Sequence, residues 1–138
     1  MINLIAIFHA YRFTHFTESN QFFKRISPNE LSTLEKIKTI FLGIEIKKIP
    51  SNVELDIWIK KIENEKGIVL LFHGYTAEKT SLLANANYFN ELGYSTILTD
   101  FMGSGNSEGN ATTVGFFEAE NVKTVVDFAQ KESHQNII

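Results

Sequence analysis

The chain has no cysteine. That excludes a disulfide scaffold, thiol catalysis and thiolate zinc sites. It fits a cytoplasmic protein and is equally compatible with export. There is no excess of positive charge either. Across 138 residues, 13 Lys and Arg stand against 16 Asp and Glu, a formal net charge of −3, so no basic surface marks a nucleic-acid binder. The four histidines (His9, His15, His73 and His134) are scattered, and no two have the spacing of a metal-binding helix. The apolar opening, residues 1–10 (MINLIAIFHA), is short of the roughly 20 residues of a spanning helix. It also lacks the basic front and the small-residue cleavage site of a signal peptide. Internal repeats and low-complexity tracts are absent.

What remains is ordinary globular composition. Hydrophobic residues make up 43% and charged residues 21%, which rules out a disordered chain. The length suits one domain. Three segments are expected, at residues 1–18, 19–43 and 44–138, the last holding the α/β domain. Residues 1–18 read as an apolar helix that packs on the domain or lies on a membrane surface. A start codon placed too late is the remaining reading of this segment. Residues 19–43 read as a helical extension. Ser27 can cap it, Pro28 suits the first helical position and Glu30 completes a capping box. Leu31, Leu34, Ile37 and Phe41 then form one apolar stripe, and Gly43 stops it.

From residue 44 the period changes to two. Ile44 and Ile46, then Val53, Leu55, Ile57 and Ile59, alternate with polar or bulky partners and predict half-buried antiparallel strands. Residues 68–72 (IVLLF) are continuously apolar and predict a fully buried, parallel strand. A helix is expected from Thr80 to Leu92, a strand at residues 94–99 ending at Asp100, and a second helix from Thr113. Its predicted buried stripe is Val114, Phe117, Val122, Val125 and Ala129. Asn136, Ile137 and Ile138 open a further strand. Buried strands alternating with amphipathic helices give an α/β fold with a parallel sheet.

In such folds chemistry sits beyond the carboxyl ends of the strands. Two loops lie there, residues 73–81 and 100–109. The first nearly matches a phosphate-binding loop: Gly74, four residues, then Lys79-Thr80. The second Gly that would aim backbone N–H groups at phosphate is absent. The second loop nearly matches a dinucleotide fingerprint, with Gly103 and Gly105, but Glu108 stands where the third Gly belongs and would face a pyrophosphate. It also contains a formal G-x-S-x-G, from Gly105 through Ser107 to Gly109. A nucleophile elbow needs its Ser in the sharp turn between a strand and its helix. Ser107 instead lies seven residues beyond the strand end at Asp100. Ser107, Asp127 and His134 have the chain order of a triad. Asp127 falls on a helix, however, and His134 just beyond that helix, so Ser107 reads as a decoy.

Taken together, the loops resemble the α/β-hydrolase superfamily, in particular serine hydrolases of the prolyl-aminopeptidase and lysophospholipase-like type. The carrying residues are the strand 68–72 ending in His73-Gly74-Tyr75, then Asp100-x-x-Gly103-x-Gly105-x-Ser107-x-Gly109. Thr113-x-Gly115-x-x-Glu118 at the next helix start adds to them. The resemblance covers about residues 53–138 and extends more weakly to the helix from Pro28. It implies that Tyr75 offers a backbone N–H to an oxyanion hole, and that the Asp100–Gly109 loop is a structural turn near the pocket rim. The alternative for His73-Gly74 is a tight turn with a satisfied imidazole.

The resemblance also implies that the nucleophile Ser follows the strand opening at Asn136, with the acid and the catalytic His further on. None of the three is in this chain. The expected function is therefore the N-terminal part of a hydrolase of ester, amide or related acyl bonds, inactive alone, with no cofactor and no metal. Its expected partner is the missing C-terminal hydrolase half. A non-enzymatic α/β binding or interaction module is the alternative. The expected location is cytoplasmic, or membrane-associated through residues 1–18. The strand 68–72 is expected to present an apolar edge and to make the isolated chain prone to aggregation.

Overall fold

The computed structural model describes residues 43–132 and 137–138. The N-terminal segments expected at 1–18 and 19–43 lie outside the described residues, Gly43 excepted, as does His134.

Two β-rich segments form a hairpin. β1 (Ile44–Pro50) pairs antiparallel with β2 (Glu54–Lys60), Ile44 opposite Lys60 and Pro50 opposite Glu54. β3 (Ile68–Phe72) runs parallel to β4 (Ser95–Thr99), and β4 pairs antiparallel with β2, Trp58 opposite Leu98. The sheet order is β1-β2-β4-β3. Ile137 makes a parallel bridge to Ile68, and the Leu70 N–H donates to the Ile138 carbonyl at 2.9 Å. The pairing expected beyond Asn136 thus begins beside β3.

The connections cover both faces. A 3₁₀ turn (Lys79–Leu82) leads into α1 (Leu83–Glu91), and α2 (Phe116–Glu132) follows β4. Leu55, Ile57, Ile59, Ile68 and Ile97 pack with Val125 and Ala129 of α2. Ile44, Trp58 and Leu98 pack with Ala86 of α1. The result is an α/β fold of helix, sheet and helix layers.

Four expectations need correction. β3 is parallel as expected but not fully buried: Ile68 and Val69 are buried while Leu70, Leu71 and Phe72 are half-buried, because the pairing described on its outer side consists of Ile137 and Ile138. β2 is not half-buried: every residue from Leu55 to Ile59 is buried, because β2 lies inside the sheet and each face carries a helix. Asp56 is thereby drawn into the interior with its apolar neighbours. The helix expected from Thr80 begins as a 3₁₀ turn. The Ser81 N–H and Oγ both donate to the Glu78 carbonyl, at 3.0 and 2.6 Å, and this i to i+3 closure winds the first turn tighter. α2 begins at Phe116, not Thr113, and its predicted stripe is shifted. Val125 and Ala129 are buried as expected and Val122 is half-buried, but Val114 and Phe117 are 65% and 42% exposed. Glu118 and Asn121 turn inward instead. They can do so because each is saturated with hydrogen-bond partners, which offsets the cost of burying polar groups.

Among the described residues no helix is long and apolar enough to cross a membrane, and no cluster of His, Asp and Glu could hold a metal ion.

Candidate active site

The carboxyl ends of β3 and β4 bring the two loops together. His73 follows β3 directly and is buried. Its Nε2 accepts the Phe101 N–H at 3.1 Å, so the ring proton is on Nδ1, which lies 2.8 Å from the Gly74 carbonyl oxygen and donates to it. The His73 ring also meets Phe101 edge-on, with centroids 5.2 Å apart, while Phe101 stacks on Phe72 at 5.5 Å. The imidazole is thus a neutral strut between the two loops. Asp100 Oδ1 lies 4.0 Å from Nε2, too far for a hydrogen bond.

The Gly74 carbonyl also accepts the Ala77 N–H at 3.2 Å, closing a turn over residues 74–77. Thr76, its third residue, has φ +61°, the sign that a type II turn requires and a β-branched residue resists. Among the described residues all peptide bonds are trans, so the Tyr75 N–H points opposite to the Gly74 carbonyl in one rigid plane. Anchoring that carbonyl on His73 fixes the direction of the Tyr75 N–H. Among the described residues a Cβ at Gly74 would meet nothing within 4 Å.

The 100–109 loop is built around Asp100. Its carboxylate accepts the backbone N–H groups of Lys79 at 2.7 Å and Asn106 at 3.0 Å. The Lys79 ammonium makes ion pairs with both Asp100 and Asp56, and all three residues are buried. A Cβ on Gly105 would lie 2.0 Å from the Asp100 carboxylate, and the residue has φ +50°, so only glycine fits. Gly103 is similarly closed in by the Ala111 backbone, and Gly109 lies over Gly103.

Ser107 is buried in the same loop. Its Oγ donates to the Asp100 carbonyl at 2.7 Å and accepts the Asp56 N–H at 2.8 Å. Both functions of the hydroxyl are taken by backbone, and among the described residues no imidazole is one of its partners. Asp127 lies on α2 and pairs with Lys123 at 2.9 Å; the structure does not bring it to Ser107.

Glu118 closes the entry to α2. Its carboxylate accepts the Thr113 N–H at 2.9 Å, the Thr113 hydroxyl at 2.6 Å, the Gly115 N–H at 2.9 Å and the Thr112 hydroxyl. Burial opposes ionisation there. The hydroxyl and backbone donors outweigh it and bring the carboxyl from 4.5 down to about 2.

Sequence reasoning missed Lys79 and Asp56. Lys79 was visible only as the lysine of a failed phosphate loop. Asp56 was an ordinary polar position of an alternating strand; nothing in its spacing shows that this face is covered. A crevice of about 190 Å³ lies at the opposite end of the sheet, where Ile68 and Ser95 begin their strands. It is far from the parallel strands' carboxyl ends.

Solved structures with this architecture are α/β-hydrolases. An esterase from Pyrococcus furiosus is 26% identical, with a TM-score of 0.56 over 70% of this chain and 38% of its own. An α/β serine hydrolase homologue from Coxiella burnetii is 24% identical, with a TM-score of 0.56 over 67% of this chain and 49% of its own. Est1E from Butyrivibrio proteoclasticus, solved with ferulic acid bound, is 24% identical, with a TM-score of 0.56 over 66% of this chain and 40% of its own. This chain therefore spans less than half the length of these structures. Residues 63–137, more than half of the chain, match the serine aminopeptidase family S33. The chain belongs to that family. A comparison with curated proteins gives no match.

Proposed function

We propose that this chain is the oxyanion-hole portion of a serine hydrolase acting on ester, amide or related acyl bonds, and that it is inactive by itself. Tyr75 supplies one backbone N–H to the developing alkoxide. The nucleophile Ser, the acid and the catalytic His come from a complementing hydrolase half that extends the sheet beyond Ile137 and Ile138. No metal or organic cofactor takes part, and nucleic acid is not a partner. The protein acts in the cytoplasm, with residues 1–18 reaching a membrane surface or the complementing half.

The observation that carries this reading is the His73–Gly74–Tyr75 peptide geometry. A donor fixed before the reaction stabilises developing charge without reorganisation, and the strut from Phe101 through His73 to the Gly74 carbonyl is such a fixture. The open space at Gly74 supports it, because a backbone that must approach a ligand closely is where glycine serves without a conformational demand. Ser107 is set aside because its hydroxyl is already committed to Asp100 and Asp56.

The test is hydrolysis of p-nitrophenyl acetate. The purified chain is expected to give background turnover, and co-expression with the polypeptide encoded directly downstream is expected to restore it. Turnover by the chain alone that disappears in Ser107→Ala would overturn both the division of labour and the rejection of Ser107. No turnover from either preparation, with unrelated sequence downstream, would favour a binding module that keeps the scaffold.

A further inference from the structure

We propose that Lys79 is a positioning residue for the oxyanion turn. The proposal rests on the oxyanion reading of Tyr75. The turn at residues 74–77 has an upstream anchor, the His73 ring. Its downstream end, Ala77, is two residues from Lys79, which grips Asp100 twice: the backbone N–H donates to Oδ1 at 2.7 Å and the ammonium to Oδ2. Two contacts from one residue to one planar carboxylate fix orientation as well as distance. The ammonium also pairs with Asp56 on β2, and its Nζ lies 4.9 Å from the centroid of the Trp58 ring.

Asp100 is itself immobilised. Its N–H donates to the Asp56 carbonyl at 3.1 Å, its carbonyl accepts Ser107 Oγ, and its carboxylate accepts the Asn106 N–H. Both ends of the turn are therefore referred to the same rigid loop, one through Phe101 and His73, the other through Asp100 and Lys79. A buried ion pair rarely adds stability over an apolar core of the same volume. What it adds here is direction: an apolar side chain at position 79 would fill the space but would leave the backbone N–H as the single tie between the turn and the Asp100 carboxylate.

Removing the lysine alone would leave two buried carboxylates facing each other, so the informative variant is Lys79→Met with Asp56→Asn. Lys79, Asp56 and Asp100 sum to +1 − 2 = −1, with Lys48 Nζ 3.6 Å from Asp56 Oδ2, and the double variant keeps −1 on Asp100, which retains both of its backbone donors. The Asp56 N–H to Ser107 is a backbone contact and also survives.

Hydrogen exchange of the dilute 138-residue chain, read peptide by peptide by mass spectrometry, should then show exchange across residues 73–82 rising by about tenfold or more. The β2 and β4 peptides should change by less than about threefold. In the assembly that turns over p-nitrophenyl acetate, the double variant should lower kcat by about tenfold to a hundredfold, with KM unchanged within about twofold, as expected for a displaced donor.

Unchanged exchange at 73–82, equal loosening of turn and sheet, or a loosened turn with full kcat would each overturn the proposal. Failure of every wild-type preparation to turn over ester would instead overturn the hydrolase reading. The exchange result would still say whether Lys79 orders the turn.

Discussion

A Cβ placed on Gly105 would lie 2.0 Å from Asp100 Oδ2, whereas among the described residues one placed on Gly74 would meet nothing within 4 Å. The two glycines therefore answer to different demands, and substitution separates them. Gly105→Ala must push the Asp100 carboxylate off its donors while adopting a positive φ. It should cost about 3 kcal/mol or more in chemical denaturation. Gly74→Ala should change stability by less than about 1 kcal/mol and act instead on the turnover of the complemented enzyme. Ser107→Ala belongs with Gly105. It removes the acceptor of a buried N–H, and the same denaturation experiment should show a loss of about 1–3 kcal/mol.

At the scale of elements, the start of α2 holds a carboxyl kept well below its ordinary value by hydroxyl and backbone donors. Those donors bring Glu118 to about 2 in the folded protein, from about 4.5 in an unfolded chain. Its folded value is depressed, so the stability it contributes is complete above the unfolded value and is lost as pH falls toward 2. About 2–3 kcal/mol should disappear between pH 5 and 2. In Glu118→Gln that part of the pH dependence should be missing when midpoints are followed by circular dichroism. Glu118 also shows what was legible in the sequence. The period-two runs of β1 and β2, the apolar run of β3 and the glycine spacing of the 100–109 loop stand in the sequence, because each obeys a local rule. The inward turn of Glu118, Asn121, Asp56 and Lys79 does not, because polar residues enter a core only when partners from distant segments receive them. Asn121 illustrates this: its side chain joins Met102, Asn52 and Ser51, none of them neighbours in sequence. In the same way the tight turn after His73-Gly74 was legible, while the Lys79 contacts to Asp100 behind it were not.

The molecule as a whole is a sheet with unequal sides. Among the described residues β1 is the last strand on one side, and beyond β3 the pairing consists of Ile137 and Ile138. Leu70, Leu71 and Phe72 remain half-buried there. Long apolar strand edges invite pairing with other chains, so light scattering on the isolated protein should rise steeply with concentration. Co-expression with the complementing half should remove that dependence. A monodisperse monomer at high concentration would show that residues of this chain already cover the edge. Trp58 lies between these parts of the molecule, on β2, with the Lys79 ammonium near its ring, and it is the sole tryptophan in the sequence. The protein therefore carries an internal fluorophore in contact with its one buried cation among the described residues. Its emission, set by the local electric field on the indole, should report in a single optical signal whether the Lys79 clamp is closed.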